Sequence, residues 1–267
     1  MNIVILTGSE IRHKYFVSVL NSNKKINILK VISEGKEKSL KNLNLKNKNI
    51  SEIEIQHESE RYYLEKKILI QKNKIDKNKV VKIKKGEVNN ISIINLLRKL
   101  SPDLVVSYGS SIIKELLINS FNNKFLNIHL GLSPYYRGAG TNIWPLINNE
   151  PQYVGVTYMK IDKGIDTGEI LHQIRAKYKK NDSPHDIGNR LIKDMSKFSC
   201  KLIINFFKLK KMKQIYTKKQ LYYTQKDFNK EACNILYNNF NNNMIPKFIK
   251  VLKKNKKLIK IIENPIF

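Results

Sequence analysis

The tightest constraint on this chain is a repeated pattern of short, almost continuously apolar, β-branched runs that end at a glycine or a turn. Residues 2–8 read Asn-Ile-Val-Ile-Leu-Thr-Gly, residues 26–32 close at Ser33-Glu34-Gly35, and residues 103–109 read Asp-Leu-Val-Val-Ser-Tyr-Gly. A strand that is apolar at nearly every position must be covered on both faces, which a parallel sheet between two helix layers provides. Helical spacing follows the first run, with Ile11, Phe16, Val17 and Leu20 between residues 9 and 20, and a second helix is predicted over 91–100, stopped by Ser101-Pro102. Further strands are expected at 125–129, 154–159 and 170–174. A long helix is expected over 184–209, with Ser183 as its cap and proline in its first turn.

These elements predict an α/β fold, a doubly wound and mostly parallel sheet spanning residues 1–208. Residues 209–267 are lysine-rich with scattered aromatics and are expected to form a short C-terminal appendage of small helices packed on the core. Residues 36–90 carry only weak apolar runs, and a charged helix or two and one weak strand are assigned there.

Charge matters next, because a formal net charge of +28 invites a polyanion-binding reading. Of 50 basic residues, only Arg12, Arg61, Arg98, Arg137, Arg175 and Arg190 are arginine. A surface built for phosphate or base recognition would favour the bidentate fork of arginine, so the excess reads first as a solvated lysine coat. Every apolar run is broken before it reaches the ~20 residues of a membrane span, and no membrane partner is expected. The first eight residues read as a core strand and not as a leader. Two cysteines, Cys200 and Cys233, lack any paired spacing. A disulfide framework or metal site is not expected from them, and a reducing cytoplasm is the expected compartment.

Chemistry concentrates in two segments. In the strand at 125–129, side chains alternate, so Asn127 and His129 fall on one face at its carboxyl end, where ligands of open α/β sheets bind. The second segment, 156–170, places Asp162, Gly164, Ile165, Asp166, Thr167 and Gly168 between two strands. Glycines there let backbone approach a ligand, and a carboxylate can be aimed across a pocket; for Asp162 an ordinary turn role is the favoured reading. Gly8-Ser9 after the first strand could meet a phosphate or be a plain connection. Arg137, in a Tyr-Tyr-Arg-Gly turn, is a candidate grip for an anionic acceptor. His13, His57, His172 and His185 have no metal-ligand spacing.

Asn127-Ile128-His129, the following Leu132-Ser133-Pro134 and Arg137-Gly138, and Asp162-Lys163-Gly164-Ile165-Asp166-Thr167-Gly168 stand in the order found in 10-formyltetrahydrofolate-dependent formyltransferases. The chain resembles that family over residues 103–175 and more weakly back to residue 2. It departs where the family's Ser-Leu-Leu-Pro is replaced by Gly131-Leu132-Ser133-Pro134, at the lip of the expected pocket. The resemblance implies a Rossmann-like fold, 10-formyltetrahydrofolate as formyl donor, and Asn127, His129 and Asp166 as the catalytic trio. It also implies a folate pocket walled by Tyr108, Gly109, Ser110, Ser111, Ile112 and Ile113 on one side and by Ile161, Asp162, Gly164 and Ile165 on the other. Gly8, Ser9 and Arg137 are carried as candidates for the acceptor. The residues after the core are fewer than the appended barrel usual in tRNA-directed members, so a small-molecule amine is the favoured acceptor, a nucleotide-linked amino sugar before glycinamide ribonucleotide or methionyl-tRNA. Hydrolysis of the formyl folate and non-enzymatic RNA binding remain open beside it.

Overall fold

In this computed structural model the described residues are 1–35, 50–215, 218–254 and 258–267. The chain runs β1 (Asn2–Gly8), α1 (Ile11–Asn21), β2 (Asn27–Glu34), α2 (Glu52–Ile68), β3 (Val80–Ile83), α3 (Ile91–Leu100), β4 (Leu104–Tyr108), α4 (Glu115–Ser120) and β5 (Phe125–His129). It continues through β6 (Tyr136–Gly138), α5 (Trp144–Ile147), β7 (Gly155–Met159), β8 (Ile170–Arg175), α6 (Pro184–Ile204), β9 (Leu221–Tyr223), α7 (Lys230–Asn241) and α8 (Met244–Lys253).

Seven strands form one sheet in the order β3-β2-β1-β4-β5-β7-β8. The first five pair in parallel, and β7 and β8 add on antiparallel. The continuous apolar runs have their reason in the two layers that cover them. Ile3 and Ile5 of β1 share a core with Phe16 and Leu20 of α1 and with Ile187, Leu191 and Met195 of α6. Val4 and Leu6 of the same strand face the other way, onto Ile93, Ile94 and Leu97 of α3. Strand order reverses between β1 and β4, so the chain leaves these neighbours on opposite sides and a crevice opens at their carboxyl ends.

The expected fold class therefore holds, and the differences lie at element ends. The long helix stops at Ile204 and gives way to a single 3-10 turn at Phe206–Lys208, short of residue 209. Asn205 explains the stop: its amide donates back to the Lys201 carbonyl at 2.9 Å, a local bond that competes with helix continuation. The charged helix expected between 36 and 90 is α2, and the weak strand is β3. Residues 36–49 within that span lie outside the described residues.

Beyond residue 204 the chain returns over the sheet. Met212 exchanges backbone hydrogen bonds with Ile170 at 2.7 and 2.9 Å, β9 pairs in parallel with β6, and Asn239 on α7 donates to the Leu146 and Ile147 carbonyls at the end of α5. The final residues bind the outer strand β8: Gln173 N–H donates to the Ile262 carbonyl at 2.7 Å, and the Asn264 amide donates to the Leu171 carbonyl at 2.8 Å. No helix of the described residues is long and apolar enough to cross a membrane.

Leu126, fully buried beside Asn127, tests how firmly β5 is held. Leu126→Ala is expected to lower unfolding free energy by about 2–5 kcal/mol in urea titrations; a cost under roughly 1 kcal/mol would mean that the site of this strand is not a packed core position.

Candidate active site

The carboxyl end of β5 presents Asn127 and His129 on one face, as strand alternation requires. Asp166 reaches them from the β7–β8 connection. Its Oδ1 accepts from the Asn127 amide at 3.3 Å, and its Oδ2 lies 3.3 Å from His129 Nδ1 and accepts the Gly138 N–H at 2.9 Å. Three separate stretches therefore meet on one carboxylate.

The imidazole of His129 is nearly fully buried. Its Nε2 sits 2.9 Å from the Tyr136 carbonyl and 3.3 Å from the Thr141 hydroxyl. That hydroxyl donates its proton to the Leu130 carbonyl at 2.7 Å, so it can only accept from the ring. Both ring nitrogens face acceptors. Gly131 makes this packing possible, because a Cβ there would lie 2.5 Å from His129 Nε2 and 2.8 Å from Thr141. The lip that replaces the usual Ser-Leu-Leu-Pro is tied down from below: Thr157 Oγ1 donates to the Gly131 carbonyl at 2.7 Å and accepts the Ser133 N–H at 3.0 Å.

Asp166 itself has φ 54°, a left-handed backbone that non-glycine residues adopt sparingly. Gln214 holds it there, its amide donating to the carbonyls of Asp166 at 2.9 Å and Gly168 at 2.8 Å. Gly138 has φ +91°, and a Cβ on it would meet the Tyr223 carbonyl at 2.1 Å; only glycine lets its N–H reach Asp166 beside β9.

A cavity of about 1100 Å³ opens over this point, large enough for two sizeable ligands. Its wall includes Asn127, His129 and Asp166, the whole run Tyr108–Ile113, and Ile161, Asp162, Gly164 and Ile165. The Glu34 carboxylate pins the first run by accepting the Ser111 N–H at 2.5 Å and the Gly86 N–H at 2.9 Å. Asp162 accepts from Gly164 N–H at 3.0 Å and from Thr167 at 2.7 Å, so its carboxylate serves the turn. Gly8 and Ser9 line the cavity, whereas Arg137 does not; its Nε is buried without a hydrogen-bond partner among the described residues.

Sequence reasoning missed several contributors. Thr141 and Gln214 carry no motif. His13 fills the space between Gly8 and Gly109, where a Cβ on either glycine would come within 2.5 or 2.2 Å of its ring. Burial, then the nearby Arg12 and Arg61, holds its pKa well below the ordinary histidine value. The pair of glycines ending β1 and following β4 was the available signal. His172, by contrast, is a core residue, stacked on Phe198 with centroids 4.4 Å apart and accepting the Asn264 N–H at 2.9 Å.

A second polar group shares the cavity wall. His57 and His185 lie with ring centroids 4.5 Å apart, next to Asn189 and Phe228. Tyr237 donates to Glu60 at 3.1 Å, so its oxygen accepts from His57 Nδ1 at 3.2 Å. Burial, with contributions from the other imidazole and Arg61, pushes His57 down to about 3. Burial and Arg61 push His185 down to about 4, against Glu60, Glu65 and Asp186. Both rings are neutral at pH 7. Among the described residues no group of three or more His, Cys, Asp or Glu side chains could hold a metal ion.

Comparison with known proteins bears on this geometry. Residues 1–202 match the protein family described as formyl transferase. The methionyl-tRNA formyltransferase of Finegoldia magna is 40% identical over 86 residues, 32% of this chain and 27% of that protein. The chain's matched stretch spans only about a third of the length of such curated relatives, 36% for the Clostridium tetani protein of the same name. Among solved structures, a phosphoribosylglycinamide formyltransferase of Anaplasma phagocytophilum superposes with a TM-score of 0.56 at 18% identity, covering 84% of this chain and 98% of that one. A sugar N-formyltransferase from a Shewanella species gives a TM-score of 0.56 at 18% identity, covering 85% and 78%. At these identities the solved structures show a shared fold.

His57 and His185, together with His13 and His172, which burial also depresses, give a pH signature. Unfolded, each ring takes a proton near pH 6.5; folded, His185 does so only near 4 and His57 near 3. Between those values the unfolded chain holds more protons, so stability should fall as pH drops from about 6.5 toward 4, by up to about 1.4 kcal/mol per pH unit for each ring. Urea titrations at several pH values should show this slope, and the double variant His57→Gln/His185→Gln should reduce it, leaving the part that His13 and His172 contribute. An unchanged slope in the variant would place the titrating groups elsewhere.

Proposed function

The chain belongs to the formyl transferase family, and from that membership we propose that it transfers a formyl group from 10-formyltetrahydrofolate to the amine of a nucleotide-linked amino sugar. The observation that carries the reaction is the meeting of the Asn127 amide, the His129 ring and the Asp166 carboxylate at the wall of a cavity with room for donor and acceptor together. Attack by a neutral amine on the formyl carbon forms a C–N bond and leaves a tetrahedral centre whose oxygen becomes negative. Donors must already stand where that charge develops.

Asn127 has two amide protons, and only one is directed at Asp166. The second is free for the oxyanion. Asp166 orients the His129 ring. As the centre collapses, the bond to the folate nitrogen breaks, and the proton lost by the attacking amine passes to that nitrogen, relayed by His129 or Asp166. Tyr108, Gly109, Ser110, Ser111, Ile112 and Ile113, facing Ile161 and Ile165, supply a wall for the flat pteridine of the donor, and Gly8 and Ser9 stand where acceptor phosphates could meet β1. Residues 1–208 would perform the chemistry and 209–267 would hold the loops that frame it.

The amino-sugar acceptor draws support from the mixed polar and aromatic wall, which includes Trp144 and Phe228. A charged initiator tRNA is the second reading, favoured by the 40% identical stretch in a methionyl-tRNA formyltransferase. A cytoplasmic location belongs to the same proposal, with Cys200 and Cys233 as unpaired thiols.

Mass spectrometry after incubation with 10-formyltetrahydrofolate and a panel of aminated nucleotide sugars, glycinamide ribonucleotide and charged initiator tRNA should show one formyl gained on a nucleotide sugar. Formate release without any formylated amine would instead make the protein a hydrolase. Asn127→Ala and His129→Ala should each lower turnover roughly 10²–10³-fold while circular dichroism and Tm stay unchanged. Undiminished turnover in either variant rules out its proposed role.

A further inference from the structure

Two buried polar atoms in the cavity wall have no hydrogen-bond partner among the described residues. His185 Nε2 and Asn189 Nδ2 are shielded from solvent and lack hydrogen-bond partners, and the Glu60 carboxylate stands 3.9 Å from His185 Nε2, beyond hydrogen-bond reach. Their residues are only 4% and 3% exposed. An unsatisfied buried donor costs about 1–3 kcal/mol, so two side by side in one cavity mark a place where a ligand completes the bonding. His57 adds to it: its Nδ1 is committed as donor to Tyr237, which leaves Nε2 a lone pair for accepting. Phe228, 5.0 Å from the His57 ring, offers an apolar face beside them.

The chemistry of the occupant follows from charge. Both imidazoles are neutral, and Arg61 is paired with Glu58 and Arg12 with Glu65 at 2.8 Å. Glu54, Glu58 and Glu65 line the same cavity. Lys85, Lys160 and Lys226 also line the cavity, but beside the two imidazoles a phosphate would meet, among the described residues, paired guanidinium groups and several carboxylates. An uncharged ring that both donates and accepts, and has a C–H face for Phe228, meets a partner at every atom. We propose that Asn189, His185 and His57 form a neutral seat for a hydroxyl- and amide-bearing sugar ring. Its assignment to the acceptor rests on the formyl-transfer reading; the seat itself rests on the unpartnered atoms.

Trp144 is the single tryptophan of the chain and lines the cavity, so its fluorescence reports occupancy. The test titrates the full chain with UDP-, dTDP- and GDP-linked N-acetylamino sugars, with the bare nucleoside diphosphates and with inorganic phosphate. At least one sugar nucleotide should bind more tightly than its bare diphosphate. Asn189→Leu and His185→Phe should each weaken that sugar roughly tenfold, leave the bare diphosphate unchanged, and not lower Tm, since each removes a polar group without a partner. If His185→Phe fails to fold, His185→Gln replaces it. The proposal is overturned if no sugar nucleotide binds better than its bare diphosphate, if both variants keep full sugar affinity, or if sugar and diphosphate weaken equally. Sugar binding that follows this pattern without any formylated product keeps the seat and sinks the reaction. Formylation of an amino sugar with KM unmoved in Asn189→Leu does the reverse.

Discussion

One carboxylate, that of Asp166, joins what the sequence keeps apart. It receives the Asn127 amide and faces the His129 ring from β5, and it takes the Gly138 N–H from β6. Its own backbone is left-handed and is kept so by the Gln214 amide. Each partner fixes a different degree of freedom, so the carboxylate is aimed as well as anchored. A reaction centre of this kind must be arranged before the ligand arrives, because reorganising dipoles during the reaction would cost the advantage they provide.

How much of this could be read beforehand divides by the range of the interaction. The apolar runs at 2–8 and 103–109 announced strands covered on both faces, and strand alternation put Asn127 and His129 together without any coordinates. Asp166 needed a family resemblance, since nothing in its local turn tells which way the carboxylate points. Thr141 and Gln214 were silent, and His13 was announced only by the two glycines it packs between. Gln214 acts across 48 residues from a lysine-rich stretch with no periodicity, and His57 meets Tyr237 across 180. The two sit on helices whose spacing says only which face is inward. The early end of α6 was illegible for the opposite reason: a single side chain, Asn205, outcompeted a favourable helical pattern.

Charge teaches a similar lesson about averages. The chain carries a net +28, yet the cavity wall holds Glu34, Glu54, Glu58 and Glu65 with two neutral imidazoles. Arg12 and Arg61, which also line the cavity with Lys85, Lys160 and Lys226, are bound to carboxylates. A whole-sequence surplus therefore describes the outer coat and predicts little about the field a ligand meets inside.

The ties that steady the proposed centre come from outside the segment matched to the family. Residues 1–202 carry that match, while Gln214 and the β9 strand, which hold the Asp166 loop and Gly138, follow it. Folding and alignment are thus written in different parts of the polypeptide. Substitutions in the trailing segment can retune how the loops sit without touching the layered interior, which gives evolution a dial for partner choice that leaves the scaffold's own inheritance undisturbed.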